Sequence, residues 1–282
     1  PMDTAKGIAL LASNGGKVQD YEGANRITRP LPPMIFIPTT AGSGAEISQF
    51  AIITDVQRQV KMAIISRTLM PNIAIIDPLF LRTKPDWLII ASAIDALTHA
   101  IEAYLSRISS PFTEMHSLKA VELIMEHLEP VLSTRSEEHL SSLSTASTIA
   151  GMAFSNAGLG ADHAIAHSLG GMLDVMHGLV HPIMLPPVLR FNLGSRADKL
   201  ARLGEIICGR YSGSEEGTAL AGIERLESFF QGFTIPNRLR DIMDDSSKLP
   251  QICKMAVQDA CILTNPREAS WEDCLGICEE VW

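Results

Sequence analysis

The hydrophobic pattern of this chain changes near residue 84. Before it, MIFIP, FAIITD, KMAIIS and NIAIID are short apolar runs bounded by turn residues, which is typical of β-strands. FAIITD and KMAIIS flank the polar segment DVQRQ and predict a β-hairpin. The run TAKGIALLASN has a helical pattern and stops at Gly15-Gly16, a signal for the end of a helix. Residues 1–84 are therefore predicted to hold one helix and about four strands.

From Pro85 onward the apolar residues recur with the period of α-helices. Successive helical patterns cover the ranges 86–105, 111–132, 136–155, 162–174, 178–191, 196–208, 215–232 and 249–263. Gly, Ser and Pro residues separate them, and we find no strand pattern and no internal repeat. The sequence predicts two parts, an α/β part over residues 1–84 and an all-helical domain over residues 85–282.

Composition narrows the function classes. A length of 282 residues suffices for two domains, and 46% hydrophobic residues argue against disorder. The net charge of −9, without a basic cluster, argues against a nucleic-acid surface. No apolar run approaches the roughly 20 residues of a membrane helix, and neither a signal peptide nor a membrane partner is expected. Five cysteines without a CxxC motif suit a reducing cytoplasm, and Cys274 and Cys278 are interpreted as packing residues.

The segment over residues 158–192 carries the densest group of candidate ligands. It holds four of the eight histidines, in two HxxxH pairs: His163 with His167, and His177 with His181. On a helix, residues four apart share a face, so each pair can point two imidazoles into one cleft. Gly170-Gly171 between the pairs is interpreted as a break between two helices. A lone HxxxH pair is more often ordinary interior or surface histidine, but two pairs this close favour a metal site.

A second segment, PDWLIIASAIDALTHAIEAY, adds a carboxylate. Asp95 and His99 are again four residues apart, and Asp95 lies in an apolar context where a carboxylate is costly to bury without a partner. One carboxylate with several imidazoles suits iron(II) or zinc better than calcium. A carboxylate–histidine hydrogen bond without a metal is the alternative for this pair, and the histidines downstream favour the metal.

These motifs carry a family resemblance. DALTHAIEAY, HAIAHSLGGMLDVMHG and LPPVLRFN, together with PMDTAKGIALL and PTTAGSGAE, resemble the iron-dependent alcohol dehydrogenase family from Asp3 to the C-terminus. The resemblance implies a dehydroquinate synthase-like architecture, in which a nucleotide-binding α/β domain precedes a helical metal-binding domain. It also implies four ligands of Fe(II), with Zn(II) possible: Asp95, His99, His163 and His177. His167 is then expected to relay a proton or orient the nicotinamide rather than to add a fifth ligand.

The predicted cofactor contacts depend more on the family resemblance than the predicted metal ligands do. PTTAGSGAE alone is better explained by a plain turn between strands, although small residues let a backbone approach a ligand. In the family, the residues that match Thr39, Thr40 and Ser43 contact the nicotinamide cofactor, NAD or NADP. The resemblance also places Asp3 near the nicotinamide end and gives Lys61 a positive charge in the cofactor cleft. Because the family has a glycine-rich phosphate turn ahead of the first residues seen here, the chain is expected to be a fragment.

The expected function is oxidation of a small alcohol or diol, or reduction of the aldehyde, by hydride transfer to or from the nicotinamide. A zinc enzyme like glycerol dehydrogenase is one alternative, and a truncated, non-catalytic metal-binding domain that self-associates is another. The active chain is expected to be a cytoplasmic homodimer or higher homo-oligomer.

Four further histidines and Phe154 lie outside the residues assigned above. His181-Pro182 replaces the Asn-Ala usual in the family, and whether His181 points into the cleft stays open. Phe154 is either a wall of the substrate pocket or a core residue. Three histidines among charged residues are expected at the surface: His116, His127 and His139.

Overall fold

A computed structural model describes residues 1–209 and 213–282 of the chain. In these residues every strand lies before residue 75, and every α-helix except the first begins after residue 85. The predicted fold class, an α/β remnant followed by a multi-helix domain, is therefore confirmed.

The α/β part is built around the predicted hairpin. Its strands are β1 (Gly23–Ala24), β2 (Ile35–Phe36), β3 (Phe50–Asp55), β4 (Val60–Ile65) and β5 (Ile73–Ala74), and its helix is α1 (Met2–Asn14). Strands β3 and β4 are antiparallel, with Phe50 opposite Ile65 and Asp55 opposite Val60, and β1 adds to β4 in parallel. Helix α1 packs on β3, where the Asp3 carboxylate accepts the backbone N–H of Ile52 at 3.1 Å.

The apolar runs MIFIP and NIAIID form only two-residue strands, which pair with each other in parallel as β2 and β5. Phe36 is buried against α1, but Ile35 and Ile73 are 59% and 50% exposed. The prediction of a buried strand is therefore only half right for MIFIP, because one face of this small sheet is covered and the other is not.

Nine helices make up the second part within its described residues. They are α2 (Asp86–Leu105), α3 (Pro111–Thr134), α4 (Glu137–Ala157), α5 (Ala161–Leu173), α6 (His181–Asn192), α7 (Ala197–Cys208), α8 (Glu215–Gln231), α9 (Leu249–Ala256) and α10 (Trp271–Glu280). Helices α2, α3, α4, α7 and α8 share one large core, and α5, α6, α9 and α10 share a second. Helix α2 also contacts α6, and the candidate site lies where α2 meets α5 and α6.

The C-terminal helices differ from the sequence prediction. The helix predicted over 249–263 ends at Ala256 and is followed by a 3-10 turn over Ala260–Thr264. Asp259 starts the new turn, because its side chain accepts the backbone N–H of Cys261. Helix α10 was not predicted, although Ser270 and Asp273 form a capping box at its start.

Helix α2 has the length and composition of a membrane span, contrary to the expectation that no apolar run approaches that length. However, 89% of its apolar window is buried inside the fold, as in the core helix of a globular domain. The polar residues among its buried positions, including Asp95, His99 and Glu102, are the ones that form the candidate site.

Candidate metal centre

The Asp95 carboxylate is the centre of the site. Asp95, His99 and Glu102 lie one turn apart on the same face of α2, and each is no more than 5% exposed. A carboxylate buried this deeply in an apolar helix is unfavourable unless charged or hydrogen-bonding groups surround it.

Four imidazoles surround that carboxylate. Nδ1 of His99 lies 3.7 Å and Nε2 of His163 lies 3.6 Å from Oδ1 of Asp95. Nε2 of His177 lies 3.8 Å from Oδ2, and Nε2 of His181 lies 3.2 Å from Oδ1. The structure thus brings together all four sequence-predicted ligands and adds His181, the residue whose direction was left open.

The donor atoms fit a divalent cation. Oδ1 of Asp95, Nδ1 of His99, and Nε2 of both His163 and His181 are buried without a hydrogen-bond partner among the described residues. Buried polar atoms are rarely left unsatisfied, so their convergence needs a ligand. Donors bound to one ion at about 2.0–2.2 Å are at most about 4.3 Å apart. The separations of 3.2 to 3.8 Å from Asp95 meet that limit. Two groups share Asp95 and have all their ligand atoms within 4.8 Å of one another: one adds His99 and His163, and the other adds His177 and His181.

Two further carboxylates fix the orientation of the rings. Glu102 accepts a hydrogen bond from Nδ1 of His163 at 2.7 Å, and Asp162 accepts one from Nδ1 of His181. A donating Nδ1 leaves the lone pair on Nε2, the tautomer that a metal ligand needs. Glu102 and Asp162 were not predicted from the sequence, although the i, i+4, i+7 spacing of Asp95, His99 and Glu102 on one helix face was a usable signal.

Burial and charge act differently on the four rings. For His181, burial favours the neutral ring, but the Asp162 carboxylate outweighs it and raises the pKa. Burial lowers the pKa of His99 to about 3 and lowers the pKa of His177 well below its ordinary value. For His163, burial also favours the neutral ring, but the carboxylates of Asp95 and Glu102 outweigh it and raise the pKa to about 10. For Asp95, burial favours protonation, but the surrounding imidazoles, above all His99 and His177, outweigh it and hold its pKa well below the ordinary value. The carboxylate is therefore ionised and His99 is neutral, which are the forms that ligate metals.

Gly170-Gly171 is not a break, contrary to the sequence prediction. Helix α5 continues through both glycines to Leu173 and ends at Asp174, whose φ of 57° is left-handed. A Cβ atom on Gly170 would lie 3.0 Å from the Lys61 side chain, and one on Gly171 would lie 2.8 Å from the carbonyl oxygen of Gln59. The glycines are there because the β3–β4 hairpin packs directly against α5.

A cavity of about 350 Å³ leads from the imidazoles to the α/β part. His167 lines it, and its Nδ1 donates to Oδ2 of Asp259 at 2.9 Å. Phe154 also lines it, and its ring stacks on His99 with centroids 4.3 Å apart. Phe154 is therefore both a core residue, since it is 4% exposed, and part of the cavity wall. Asp259 is a further polar residue that the sequence analysis missed.

The expected cofactor residues divide into two groups. Asp3, Ser43 and Lys61 line the same cavity as the imidazoles, and Nζ of Lys61 lies 3.4 Å from Nδ1 of His177. Burial lowers the pKa of Lys61, so it is not the solvated lysine that an exposed hairpin suggests. Thr39 is exposed and Thr40 half-buried, and neither is in the described lining of the cavity.

The glycines of PTTAGSGAE approach protein rather than leaving space for a ligand. A Cβ on Gly42 would lie 2.8 Å from the carbonyl oxygen of Ser92, and one on Gly44 would lie 2.9 Å from Cα of Gly151. These close approaches seat the loop between α2 and α4, and so place the Ser43 side chain at the cavity.

The other histidines lie on α3 and α4, where the expectation of surface positions is wrong for one of them. His127 is 8% exposed, and its Nδ1 lies 2.8 Å from Nδ1 of His139. Its burial on α3 follows from this contact with α4. His116 is half-buried, with its Nδ1 donating to the carbonyl oxygen of Phe112 at 2.7 Å.

Comparisons with known proteins agree on one family. A family model described as "Iron-containing alcohol dehydrogenase" matches residues 1–78, and one described as "Fe-containing alcohol dehydrogenase family, C-terminal" matches residues 89–282. The chain is 37% identical to the NAD-dependent methanol dehydrogenase of Bacillus methanolicus, over 98% of this chain and 73% of that protein. It is 35% identical to the 1,3-propanediol dehydrogenase of Klebsiella pneumoniae, over 100% of this chain and 73% of that protein.

The similarity extends to solved structures. A crystal structure of 1,3-propanediol oxidoreductase superposes with a TM-score of 0.96 at 34% identity, covering 100% of this chain and 74% of that one. The alcohol dehydrogenase from Oenococcus oeni gives a TM-score of 0.96 at 30% identity, with the same coverage.

Proposed function

Since this chain belongs to the iron-containing alcohol dehydrogenase family and is a metal-dependent, NAD-linked oxidoreductase of alcohols and aldehydes, we propose that the cavity beside Asp95 is its active site. One observation carries this proposal. Buried donor atoms without hydrogen-bond partners converge on Asp95 at the inner end of a cavity whose outer wall includes Asp3, Ser43 and Lys61. Metal chemistry and cofactor binding therefore share one space.

Four residues are proposed as ligands of Fe(II): Asp95, His99, His163 and His177. An ion held by them acts as a Lewis acid that makes an alcohol hydroxyl easier to deprotonate, or polarises an aldehyde carbonyl in the reverse reaction. Zinc accepts the same kinds of donor, so the donor types alone do not separate the two metals.

His167 is proposed to move the proton. Its Nδ1–H is held by Asp259, which leaves Nε2 as the basic nitrogen of the neutral ring. In the oxidation direction, Nε2 would take the hydroxyl proton, and a nicotinamide bound in the cavity would supply the hydride acceptor. Asp259 then stabilises the imidazolium that His167 becomes, as a carboxylate does for other histidine bases.

The cofactor side is proposed to be NAD bound across the hairpin and the PTTAGSGAE loop. The cavity wall combines apolar residues of the hairpin, such as Ile52 and Ala63, with polar groups from Asp3 and Ser43. A flat ring with one polar edge suits such a wall. Thr39 and Thr40 stay proposed contacts to parts of the cofactor outside this cavity, on the strength of the family resemblance.

The proposed substrate is a small primary alcohol or diol, or the matching aldehyde. The relatives described above are named for methanol and 1,3-propanediol, and a lactaldehyde reductase of Escherichia coli is 32% identical over 100% of this chain and 74% of its own. The stacked rings of Phe154 and His99 limit the space at the inner end of the cavity, which suits a short chain. Assembly as a homo-oligomer and a cytoplasmic location stay predictions from the sequence.

Cofactor titration with a kinetic panel tests this proposal. The protein is purified anaerobically, loaded with Fe(II), and titrated with NADH and NADPH while nicotinamide fluorescence is followed. We expect a fluorescence change and turnover of short alcohols, with zinc-loaded protein as the comparison. Metal binding without any fluorescence change and without turnover would instead support the non-catalytic, self-associating domain.

A further inference from the structure

His181 lies in the donor cluster but outside the set of four ligands proposed above. We infer that His181 is a fifth protein ligand of the ion, and that Asp162 is the residue that orients it. The inference rests on the proposed metal site and extends it by one donor. It starts from a distance: of the four imidazoles, His181 lies closest to the Asp95 carboxylate, with Nε2 at 3.2 Å from Oδ1.

The surroundings of His181 place its Nε2 atom as a donor to a metal ion. The side chain is 0% exposed, and Nε2 has no hydrogen-bond partner among the described residues. Its ring lies against His163, with centroids 4.4 Å apart, and against His177, with centroids 5.7 Å apart. A fully buried nitrogen that faces an ionised carboxylate and two other ligand rings is placed as a metal donor.

Asp162 supplies the orientation. Its carboxylate accepts the hydrogen bond from Nδ1 of His181, and the side chains of both residues are 0% exposed. This arrangement repeats the one that Glu102 makes with His163. Carboxylates that hold the second nitrogen of a ring are typical of metal-ligating histidines, since they fix the tautomer and raise the basicity of the donor.

The two orienting carboxylates are also tied to each other through the backbone. Glu102 accepts the backbone N–H of Asp162 with Oε1 at 2.8 Å while Oε2 holds His163. The start of α5 is therefore fixed by α2, and the positions of His163 and Asp162 are fixed together. His181 on α6 joins this unit through the hydrogen bond from its Nδ1 to Asp162.

Pro182 allows the approach of His181. A proline in the first turn of a helix costs no hydrogen bond, because the first backbone N–H groups of a helix have no partner within it. Helix α6 begins at His181 with Pro182 as its second residue, so the helix starts at the metal site without strain.

An alternative interpretation has the same contacts but no bond between His181 and the ion. In it, His181 is a doubly protonated ring that bridges Asp162 and Asp95 and only neutralises charge. The two readings differ in the number of imidazoles on the ion, which is four if His181 ligates and three if it does not. They also differ in metal preference, because five protein donors exceed the four that zinc usually takes and so favour Fe(II).

The direct test counts ligands in the wild-type protein. Cobalt(II) is loaded anaerobically in place of iron, and X-ray absorption fine structure counts the imidazoles around it. We expect four imidazoles with one carboxylate, and three imidazoles would overturn the inference. No variant is needed, so the result does not depend on how a substitution folds.

Substitutions give a second readout. We expect H181N and D162N to weaken Co(II) binding by at least tenfold, as loss of a ligand or of its orienting carboxylate does. In H181N the visible d–d bands of cobalt should intensify, because they strengthen as the coordination number falls. H116N on α3 is the matched control and should change neither property.

The outcomes separate this inference from the proposed function. If the wild-type protein binds no cobalt, the proposed function fails and takes the inference with it. If the wild-type protein binds one ion, H163A loses it, and H181N keeps both its affinity and its spectrum, only the inference fails.

Discussion

Oε2 of Glu102 lies 2.7 Å from Nδ1 of His163, and both side chains are almost completely buried. The contact joins α2 to α5 and turns the Nε2 lone pair of His163 towards Asp95, 3.6 Å away. Glu102 is not among the proposed metal ligands, but it determines the orientation of His163, which is one of them.

Glu102→Gln should therefore weaken metal binding without removing a ligand. The amide keeps the size of the side chain but removes the negative charge that raises the basicity of His163. We expect the metal Kd to rise by about 10- to 100-fold. A competition titration with a chromophoric chelator measures this, with Glu122→Gln on the exposed face of α3 as the control. An unchanged Kd would show that Glu102 only packs against the ring.

His163 and His167 should separate metal binding from catalysis. His163→Ala removes a proposed ligand and is expected to lose bound metal. His167→Ala is expected to keep metal and to lower kcat by about 10²–10⁴-fold, since a positioned proton acceptor contributes that much. Elemental analysis and steady-state kinetics on both variants measure the split. Equal metal content with near-normal turnover in both would refute the two assignments.

The contact between Gly44 and Gly151 should be sensitive to a single methyl group. Gly44 has a left-handed φ of 58°, and a Cβ atom there would lie 2.9 Å from Cα of Gly151. Gly44→Ala should destabilise the protein by about 1–3 kcal/mol and shift the loop that carries Ser43, so that NADH binds more weakly. Thermal unfolding and NADH titration measure both effects. Gly194→Ala is the control, because a Cβ at Gly194 would meet nothing within 4 Å; equal Tm values for the two variants would contradict the prediction.

The buried ammonium of Lys6 should make stability depend on pH. Its Nζ donates to the carbonyl oxygens of Ser48 at 2.8 Å and Phe50 at 2.7 Å, yet burial lowers its pKa to about 8 from the ordinary 10.5. Between these two values the unfolded chain binds more protons than the folded one, so the free energy of unfolding rises with pH. The expected contribution between pH 7.5 and 9.5 is about 2 kcal/mol.

Comparison with Lys6→Met isolates this contribution from other titrating groups. Methionine carries no charge, so the variant should lack the rise that Lys6 gives the wild-type protein over this pH range. Chemical denaturation at the two pH values measures the difference, and Lys119→Met on the surface is the control. Parallel pH dependences in wild type and Lys6→Met would contradict the account.

The sequence predicted the parts of this molecule that have strong periodicity or strong chemistry. The hairpin alternates clearly, and the spacing of Asp95 with His99 is fixed by the helix that carries both. The turn that begins at Asp259 depends on a side-chain cap, and the burial of His127 depends on a contact with His139 on the next helix. Periodicity within one segment contains no information about them.

The residues of the candidate site also divide into those that the sequence predicted and those that it did not. His163 and His177 are recognisable as candidate ligands because histidine is uncommon and the motif is dense. Glu102 and Asp162 were missed, since a carboxylate that supports a ligand differs from a surface carboxylate only in what it faces. The glycines were misread for a related reason: Gly170 permits the approach of Lys61 from a hairpin about 110 residues earlier in the chain, rather than a local break.

The central claim is that one ion lies between Asp95 and the imidazoles of α5, α6 and the turn that carries His177. A crystal structure of the anaerobically iron-loaded protein, with anomalous diffraction recorded on both sides of the iron absorption edge, tests it most directly. The account predicts one strong anomalous peak within about 2.0–2.3 Å of Asp95 and His163. A peak confined to His167, Asp259 and Cys261, whose ligand atoms also lie within 4.8 Å of one another, or no peak at all, would contradict it.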